Sequence, residues 1–337
     1  MARSISGAEY GLTLRKLNTV RMLSVPATAG AQEPRIIQTG KPIMVNHEPA
    51  RVTRDKPRVR RSIWLTVMFS VFAIVVLEMA FPQSTLTAPI PDTVEMADMT
   101  WVEVRSAIDH GYTVAIVPTG GIEQNGPHMV LGKHDYIVRK AANRIAKEVG
   151  HTLVTPVVSF VPEGDYEPPS GNMLFPGTLG VPAPVFAQVL EGIARSLKLA
   201  GFKTICFIGD HGLNQAPQAA VAAKLNHEWA GQATTVLHVA DYYDGKAQIK
   251  YLREKGETLA AIGDHAGIID TSELLATHPQ GVDLARLAAS PLRSEPTGYT
   301  GKPLHSLAEY GTALIEIRIN AAILQIRAAL SDRHALN

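Results

Sequence analysis

From Thr100 onward, the sequence alternates between segments with the period of a buried strand and segments with the period of a helix. Apolar runs such as "YTVAIVP" and "KTICFIGD" have the length and composition of buried strands, and amphipathic segments separate them. Strands that alternate with helices pair in parallel, because each crossover helix returns the chain to the same edge of the sheet. We therefore predict a three-layer α/β/α domain with a mostly parallel central sheet.

The bounds of the individual elements follow from these periods and from Gly and Pro residues near their ends. The predicted strands cover residues 112–118, 151–161, 203–212 and 233–243. The predicted helices cover residues 100–111, 135–150, 181–202, 214–231, 265–279 and 307–332.

The charges are distributed unevenly along the chain. Residues 1–62 carry 12 Lys and Arg against 4 Asp and Glu, although the whole chain has a formal net charge of only +1. The remainder is therefore mildly acidic and gives no electrostatic reason to expect nucleic-acid binding. The single cysteine, Cys206, lies in an apolar run, which is typical of a core residue and not of a nucleophile.

A second feature of the N-terminal part is an uncharged run that follows a basic segment. Arg58, Arg60 and Arg61 precede residues 63–77, which carry no charge. A run of this length suits a signal peptide, and its extension to residue 81 approaches the length of a membrane span. Basic residues before such a run favour a cytoplasmic N-terminus and an exported remainder, on the periplasmic side.

These features predict the organisation of the whole chain, with Met44 as an alternative start. We predict a basic, disordered leader at 1–62, a signal peptide or membrane anchor at 63–82, a linker at 83–98 and one α/β domain at 99–335.

Polar side chains are concentrated in three loops that the predicted fold brings to one edge of the sheet. "EQNGPHMVLGKHD" follows the strand at 112–118, "GDHG" ends the strand at 203–212, and "GDHAGIIDTS" opens a later helix. In an open α/β sheet, ligands bind at the carboxyl ends of the strands. Carboxylates and imidazoles are the ligands that zinc, iron and manganese accept, and a further histidine can carry protons at neutral pH. The pattern therefore predicts a metal centre.

Five segments resemble, in the same order, motifs of the creatininase (creatinine amidohydrolase) family. "EQNGPHMVLGKHD" is similar to E-Q-H-G-P-H-x-P-x-G-x-D, "FPGTLG" to F-P-G-T-x-S, "GDHGLN" to N-G-H-G-G-N, "DHAGIIDTS" to H-A-G-x-x-E-T-S and "AEYGTALIE" to A-x-x-G-x-x-L-x-E. The resemblance covers about residues 100–330. It implies a creatininase-like fold, metal-dependent hydrolysis of a carbon–nitrogen bond in a small cyclic or linear amide, and a homo-oligomer, often a hexamer.

The resemblance also implies roles for individual residues. Glu123 and His211 match metal ligands of the family, and His265 matches the histidine that transfers a proton. Asp270 stands where the family has a glutamate, and we expect it to be a further ligand. The residues expected to bind substrate are Asn125, His128 and Asn172.

Three positions depart from the family pattern. Asn125 replaces a ligand histidine, and Leu213 replaces a glutamate. His134 stands where the family has a bridging aspartate, so we expect His134 to be a ligand, with Asp135 as the alternative. Because a neutral amide and an apolar side chain are poor metal ligands, one divalent metal per chain is favoured over two. Zinc suits the expected ligand set best, and iron and manganese are alternatives.

Two functions of different kinds fit the sequence. The first is an exported metal-dependent amidohydrolase, in which His265 carries a proton to the departing nitrogen. Creatinine itself is not the expected substrate, because the ligand set differs from that of the creatinine enzyme. The second is a catalytically inactive family member that acts as an exported binding or scaffold protein. The metal content of the purified protein distinguishes the two.

Overall fold

The structure is a computed structural model that describes residues 88–289 and 297–335. The predicted leader and the predicted signal peptide or anchor, residues 1–62 and 63–82, lie outside the described residues. Within the part of the chain that the structure describes, no helix is both long enough and apolar enough to cross a membrane.

The centre of the fold is a parallel sheet with the strand order β2-β1-β3-β4. Its strands are β1 (Val114–Thr119), β2 (Thr152–Val154), β3 (Thr204–Gly209) and β4 (Thr235–His238). Every residue of β1 and β3 is buried, as expected for strands covered on both faces. The register pairs Thr119 with Gly209, so the loops that leave β1 and β3 begin side by side.

Helices surround this sheet on both faces. Over the described residues they are α1 (Trp101–Asp109), α2 (Lys133–Val149), α3 (Ala183–Ala200), α4 (Gln215–Glu228), α5 (Lys246–Glu254), α6 (Leu259–Ile262), α7 (Ile268–Thr277), α8 (Leu284–Ala289) and α9 (Ala308–Ala335).

Two apolar clusters join the helices to the sheet. On one face Phe186 of α3 and Leu225 of α4 pack against alternate residues of β1 and β3. On the other face Ile145 of α2 and Ile319 of α9 pack against the remaining ones, including the buried Cys206. Each cluster follows the helical spacing of apolar residues that the sequence shows. The predicted three-layer α/β/α fold is therefore confirmed.

Two parts of the chain differ from the predicted elements. The strand predicted at 151–161 is regular only in β2, because Pro156 has no N–H to donate to a ladder. The chain beyond it stays beside β1 through a hydrogen bond from Gly120 N to Val158 O (3.1 Å). The prediction also assigned no element to residues 244–263, where the structure forms α5 and α6.

The packed domain also begins earlier than predicted. Val94 accepts a hydrogen bond from Val154 N of β2 (2.7 Å), and Glu95 pairs with Arg139 of α2 (2.5 Å). The C-terminal end of the segment predicted as a linker is thus part of the sheet edge.

Candidate metal centre

The polar loops meet at the carboxyl ends of β1 and β3, as the parallel topology requires. The loop after β1 is closed by Glu123 N, which donates to Leu131 O (3.1 Å). Asn214, which follows β3, ties the two loops together, because its amide donates to Gly120 O (2.9 Å) and to Thr119 Oγ1 (2.7 Å). These bonds hold the ends of both loops in a fixed relation.

Three side chains converge at this point with their potential ligand atoms within 4.8 Å of one another: Glu123, His134 and His211. His134 Nε2 lies 2.7 Å from Glu123 Oε1, and His211 Nε2 lies 3.3 Å from Glu123 Oε2. All three residues are buried. One carboxylate and two imidazoles converging on a small buried space form a set that suits a divalent metal ion.

The ring of His134 is held by a buried network of polar and charged side chains. His134 Nδ1 donates to Asp210 Oδ2 (2.7 Å). Asp210 Oδ1 in turn accepts from Tyr242 OH (2.9 Å) and pairs with Arg318 Nη2 of α9 (2.7 Å). Asp210 therefore holds Nδ1–H, and Nε2 is the ring atom that faces Glu123 and that a metal ion would take once its proton is displaced.

The pKa values of the three residues are shifted by burial and by their neighbours. Burial acts to raise the pKa of Glu123, but Lys133 and His134 outweigh it and hold that pKa well below its ordinary value. Burial and Lys133 act to lower the pKa of His134, but Glu123 and Asp210 raise it to about 9. Burial lowers the pKa of His211. A bound cation must therefore displace a proton from His134 but not from His211.

A fourth carboxyl group, Glu163, lies at the edge of this cluster. Its Oε2 is 3.5 Å from His211 Nε2, and its buried Oε1 has no hydrogen-bond partner. Asn172 joins the two acids, since its amide donates to Glu123 Oε2 and to Glu163 Oε2 (3.2 Å). Burial and the nearby Glu123 raise the pKa of Glu163 to about 8. Two buried carboxyl groups this close favour a cation between them, because a cation would offset their mutual repulsion and their loss of hydration.

Lys133, the first residue of α2, lies on the other side of Glu123. Its Nζ is 3.4 Å from Glu123 Oε1 and 3.1 Å from Asp270 Oδ2, and its side chain is only 1% exposed. Burial acts to lower the pKa of Lys133, but Asp270 and Glu123 raise it above its ordinary value. Asp270, a predicted ligand, is thus engaged by Lys133 and by Ala266 N (2.7 Å), and it stands apart from the three-residue cluster.

His265, the predicted proton carrier, reaches the centre from the loop before α7. Its Nε2 is held by Gln124, 3.0 Å from the backbone oxygen and 2.8 Å from the side-chain nitrogen. Its Nδ1 lies 3.8 Å from Glu123 Oε1. The ring is therefore fixed through one nitrogen while the other faces the cluster.

Of the remaining predicted residues, Asn172 contacts the cluster at Glu123 Oε2, whereas the side chains of Asn125, His128 and Asp135 are engaged elsewhere. Asn125 is fully buried, and its amide donates to the backbone oxygens of Glu123 (2.9 Å) and Val130 (3.2 Å). His128 is buried against Thr271 Oγ1 (3.0 Å). Asp135, the alternative ligand, accepts a hydrogen bond from Gly121 N (3.1 Å). Substrate binding by Asn125, His128 and Asn172 remains a prediction.

An open cleft of about 440 Å³ leads to the centre. Glu123, His134, His211 and His265 form its polar floor, and Lys133 also reaches its wall. The apolar part of the lining comes from four side chains: Leu213, Ile249, Ile262 and Ile269. This volume is that of a pocket for a small molecule.

Two charged residues that contact the cluster, Glu163 and Lys133, were not predicted from the sequence. Glu163 lies just after the strand predicted at 151–161, and the same strand-end rule that singled out Glu123 could have found it. Lys133 gave no such signal, because a lysine at a helix start is usually exposed. Only the meeting of Glu123 and Asp270 in space explains its burial.

Comparison with known proteins agrees with this geometry. The family model "Creatininase: Creatinine amidohydrolase" matches residues 97–326. A "Creatinine amidohydrolase" of Pseudomonas putida is 26% identical over 204 residues, covering 59% of this chain and 77% of that protein. A "Mycofactocin precursor peptide peptidase" of Mycolicibacterium smegmatis is 25% identical over 230 residues, covering 66% of this chain and 88% of that protein.

Solved structures show the same fold. One named "Creatininase Mn" has a TM-score of 0.58 at 22% identity and covers 71% of this chain and 99% of its own. A mutant creatininase of the "Zn-Zn type" has the same TM-score, identity and coverage. The fold, the ordered motifs and the match over residues 97–326 lead to one conclusion: this chain belongs to the creatininase family of amidohydrolases, which act on carbon–nitrogen bonds.

Proposed function

We propose that this protein is an exported amidohydrolase that uses one divalent metal ion, with zinc favoured, to hydrolyse an amide bond in a small cyclic or linear molecule. The observation that carries the proposal is the convergence of Glu123, His134 and His211 at the floor of the cleft, beside His265. A metal ion held there would polarise an amide carbonyl and lower the pKa of a water molecule toward neutrality.

The protein's own side chains prepare this chemistry. Asp210 holds the His134 ring so that Nε2 faces the centre, and Asn172 fixes the second oxygen of Glu123. Both ligand groups are therefore oriented before any ion arrives, which lowers the ordering cost of binding.

His265 has the position of the proton carrier. Its Nε2 is held between Gln124 O and the Gln124 side-chain nitrogen, so Nδ1 is the ring atom left to accept a proton. The same atom can then donate that proton to the departing nitrogen of the amide. Because Nδ1 faces the floor of the cleft, no movement of the backbone is required for this role.

The cleft favours a small substrate with both polar and apolar parts. Its floor is formed by imidazoles and carboxylates, whereas Ile249, Ile262 and Ile269 provide apolar walls. Creatinine itself is not the proposed substrate, because this chain has Asn125, His134 and Leu213 where the family pattern has other ligands. The family resemblance also supports a homo-oligomer, of which a hexamer is the first form to test.

Metal analysis and a substrate panel test the proposal together. The full chain, stripped and reloaded with zinc, is expected to bind about one equivalent and to hydrolyse at least one member of a panel of amides and lactams. His134→Ala should lose most of the metal, whereas Asp135→Asn should keep it, because Asp135 faces Gly121. His265→Asn should keep the metal but lose about 10²- to 10⁴-fold in rate.

Two results would contradict the proposal. A wild-type protein that binds no metal and hydrolyses nothing would favour the inactive scaffold. Loss of metal in Asp135→Asn with full retention in His134→Ala would show that the neighbouring residue is the ligand.

A further inference from the structure

The burial of Lys133 calls for a physical reason. An ammonium loses its hydration when it is buried, and the first residue of a helix lies at the positive end of the helix dipole. Both effects disfavour a lysine at this place, and yet its side chain is only 1% exposed. The compensation comes from Glu123 Oε1 at 3.4 Å and Asp270 Oδ2 at 3.1 Å. The ammonium is therefore an internal cation between two acids.

Glu123 is shared between this ammonium and the proposed metal site. Its Oε1 faces both His134 Nε2 and Lys133 Nζ, while its Oε2 faces His211 Nε2. A carboxylate that lies between two neighbouring cations is the arrangement of a two-metal centre, where the cations are roughly 3.5–4 Å apart. Here one of the two cationic positions is filled by a side chain.

We propose that the Lys133 ammonium takes the place of a second metal ion, so that the working centre of this protein is one divalent metal plus one lysine. This inference rests on the proposed metal site at Glu123, His134 and His211. It identifies the Lys133 ammonium as the second positive charge beside that site. It also assigns Asp270 to the lysine and not to the metal.

The charges near the centre agree with this assignment. Lys133 and Asp270 neutralise each other, and Arg318 is shared by Asp210, which lies behind His134, and the buried Glu273. Glu123 and Glu163 both face His211, and in their ionised form they carry the two negative charges that one divalent ion would balance. A second divalent ion in addition to the ammonium would leave an excess of buried positive charge.

The carboxylate oxygens that could hold a second ion, those of Glu123 and Asp270, are already engaged by the ammonium. Leu213, on the cleft wall, is apolar and offers no further ligand atom. In residues 88–289 and 297–335, no cluster of His, Cys, Asp or Glu with metal-binding spacing other than Glu123, His134 and His211 is found.

Titration of the full chain with Mn²⁺ tests the inference. The wild type is expected to bind one equivalent even at millimolar Mn²⁺, with the spectrum of an isolated ion in electron paramagnetic resonance. Lys133→Ala should bind two equivalents with a spin-coupled signal, because Glu123 and Asp270 are then free to hold the second ion. Lys133→Arg, which keeps the charge, and Lys147→Ala, an exposed lysine of the same helix, should both stay at one equivalent.

Each other outcome also decides the question. Two equivalents in the wild type, or one in both the wild type and Lys133→Ala, would overturn the role of Lys133 and leave the proposed function standing. No binding in the wild type would overturn both. If Lys133→Ala folds only when Mn²⁺ is present, the ion has replaced the ammonium and the inference is supported; if Mn²⁺ does not restore its folding, the inference fails.

Discussion

Asp210 holds the proposed ligand His134 and is itself held by Arg318 of α9. It accepts a hydrogen bond from His134 Nδ1 and pairs with Arg318, both at 2.7 Å. Burial acts to raise the pKa of Asp210, but Arg318 and His134 hold it well below its ordinary value. The carboxylate is therefore ionised and able to fix both the tautomer and the orientation of the imidazole.

We expect Asp210→Asn to weaken metal binding about 10- to 100-fold, because an amide cannot hold the His134 ring as an ionised carboxylate does. Competition with a chromophoric chelator measures this on folded protein, and circular dichroism verifies the fold. The matched control is Asp241→Asn, an exposed residue, which should leave the affinity unchanged. Equal affinities for wild type and Asp210→Asn would show that the pair has no part in metal binding.

The shifted pKa values predict how the metal-free protein responds to pH. His134 has a pKa of about 9 in the fold against an ordinary 6.5, and Glu163 about 8 against 4.5. Between pH 7 and 9 the folded protein therefore holds protons that the unfolded chain has released. Stability of the metal-free form should fall across this interval, by on the order of 1–2 kcal/mol per group.

Urea unfolding of the metal-free protein at pH 7, 8 and 9 measures this fall. Glu163→Gln should show a smaller slope, because one of the two titrating groups is gone. The zinc-loaded protein should not lose stability over the same range, because the ion has already displaced the proton of His134. A metal-free protein that becomes more stable between pH 7 and 9 would contradict the shifts.

At the scale of single residues, the side chains that could be predicted from the sequence are those that follow a predicted strand directly. Glu123 and His211 follow strands of the sheet, so the topology alone brings them together. Lys133 could not be predicted, because its environment is formed by Asp270, which is distant in sequence. The same holds for Arg318, which reaches Asp210 from the last helix.

At the scale of elements, the close packing of α9 on α7 positions one side of the site. A Cβ atom added to Gly311 of α9 would lie 1.8 Å from Ser272 O of α7. Asp270 belongs to α7 and Arg318 to α9, so the separation of the two helices sets the place of both charges. Only a glycine allows the backbones to approach this closely.

Gly311→Ala should therefore lower the free energy of unfolding by about 1–3 kcal/mol or more, since the two helices must move apart. Gly192→Ala is the matched control, because Gly192 lies in the exposed part of α3 and an added Cβ would meet nothing within 4 Å. That substitution should instead stabilise the protein by roughly 0.5–1 kcal/mol. Thermal or urea unfolding measures both, and equal effects would contradict the packing.

The elements differ in how well the sequence predicted them. Long helices such as α2 and α9 have an apolar stripe that spans many turns, so their existence was predicted correctly. β2 was predicted too long, because the apolar run after Thr152 continues past Pro156 into a loop that is also buried in part. An apolar run indicates burial, and it does not by itself distinguish a strand from a packed loop.

At the scale of the whole molecule, the described domain and the N-terminal part have opposite charge. The 12 Lys and Arg of residues 1–62 leave a net negative charge on the rest of the chain. The basic segment ends at Arg61, directly before the uncharged residues 63–77. This order is typical of a signal sequence or a membrane anchor, and it is the basis of the proposed export.

If residues 63–81 direct export as proposed, alkaline phosphatase fused after residue 90 should be active, because this reporter works only outside the cytoplasm. A reporter that is fluorescent only in the cytoplasm should be dark at the same junction. Val71→Arg together with Val75→Arg places two charges in the run, and each charge costs about 2.5–3.5 kcal/mol on insertion, so both reporters should reverse. Bright cytoplasmic fluorescence from the unmodified fusion would contradict the proposed export, and the search for an amide substrate would then move to cytoplasmic metabolites.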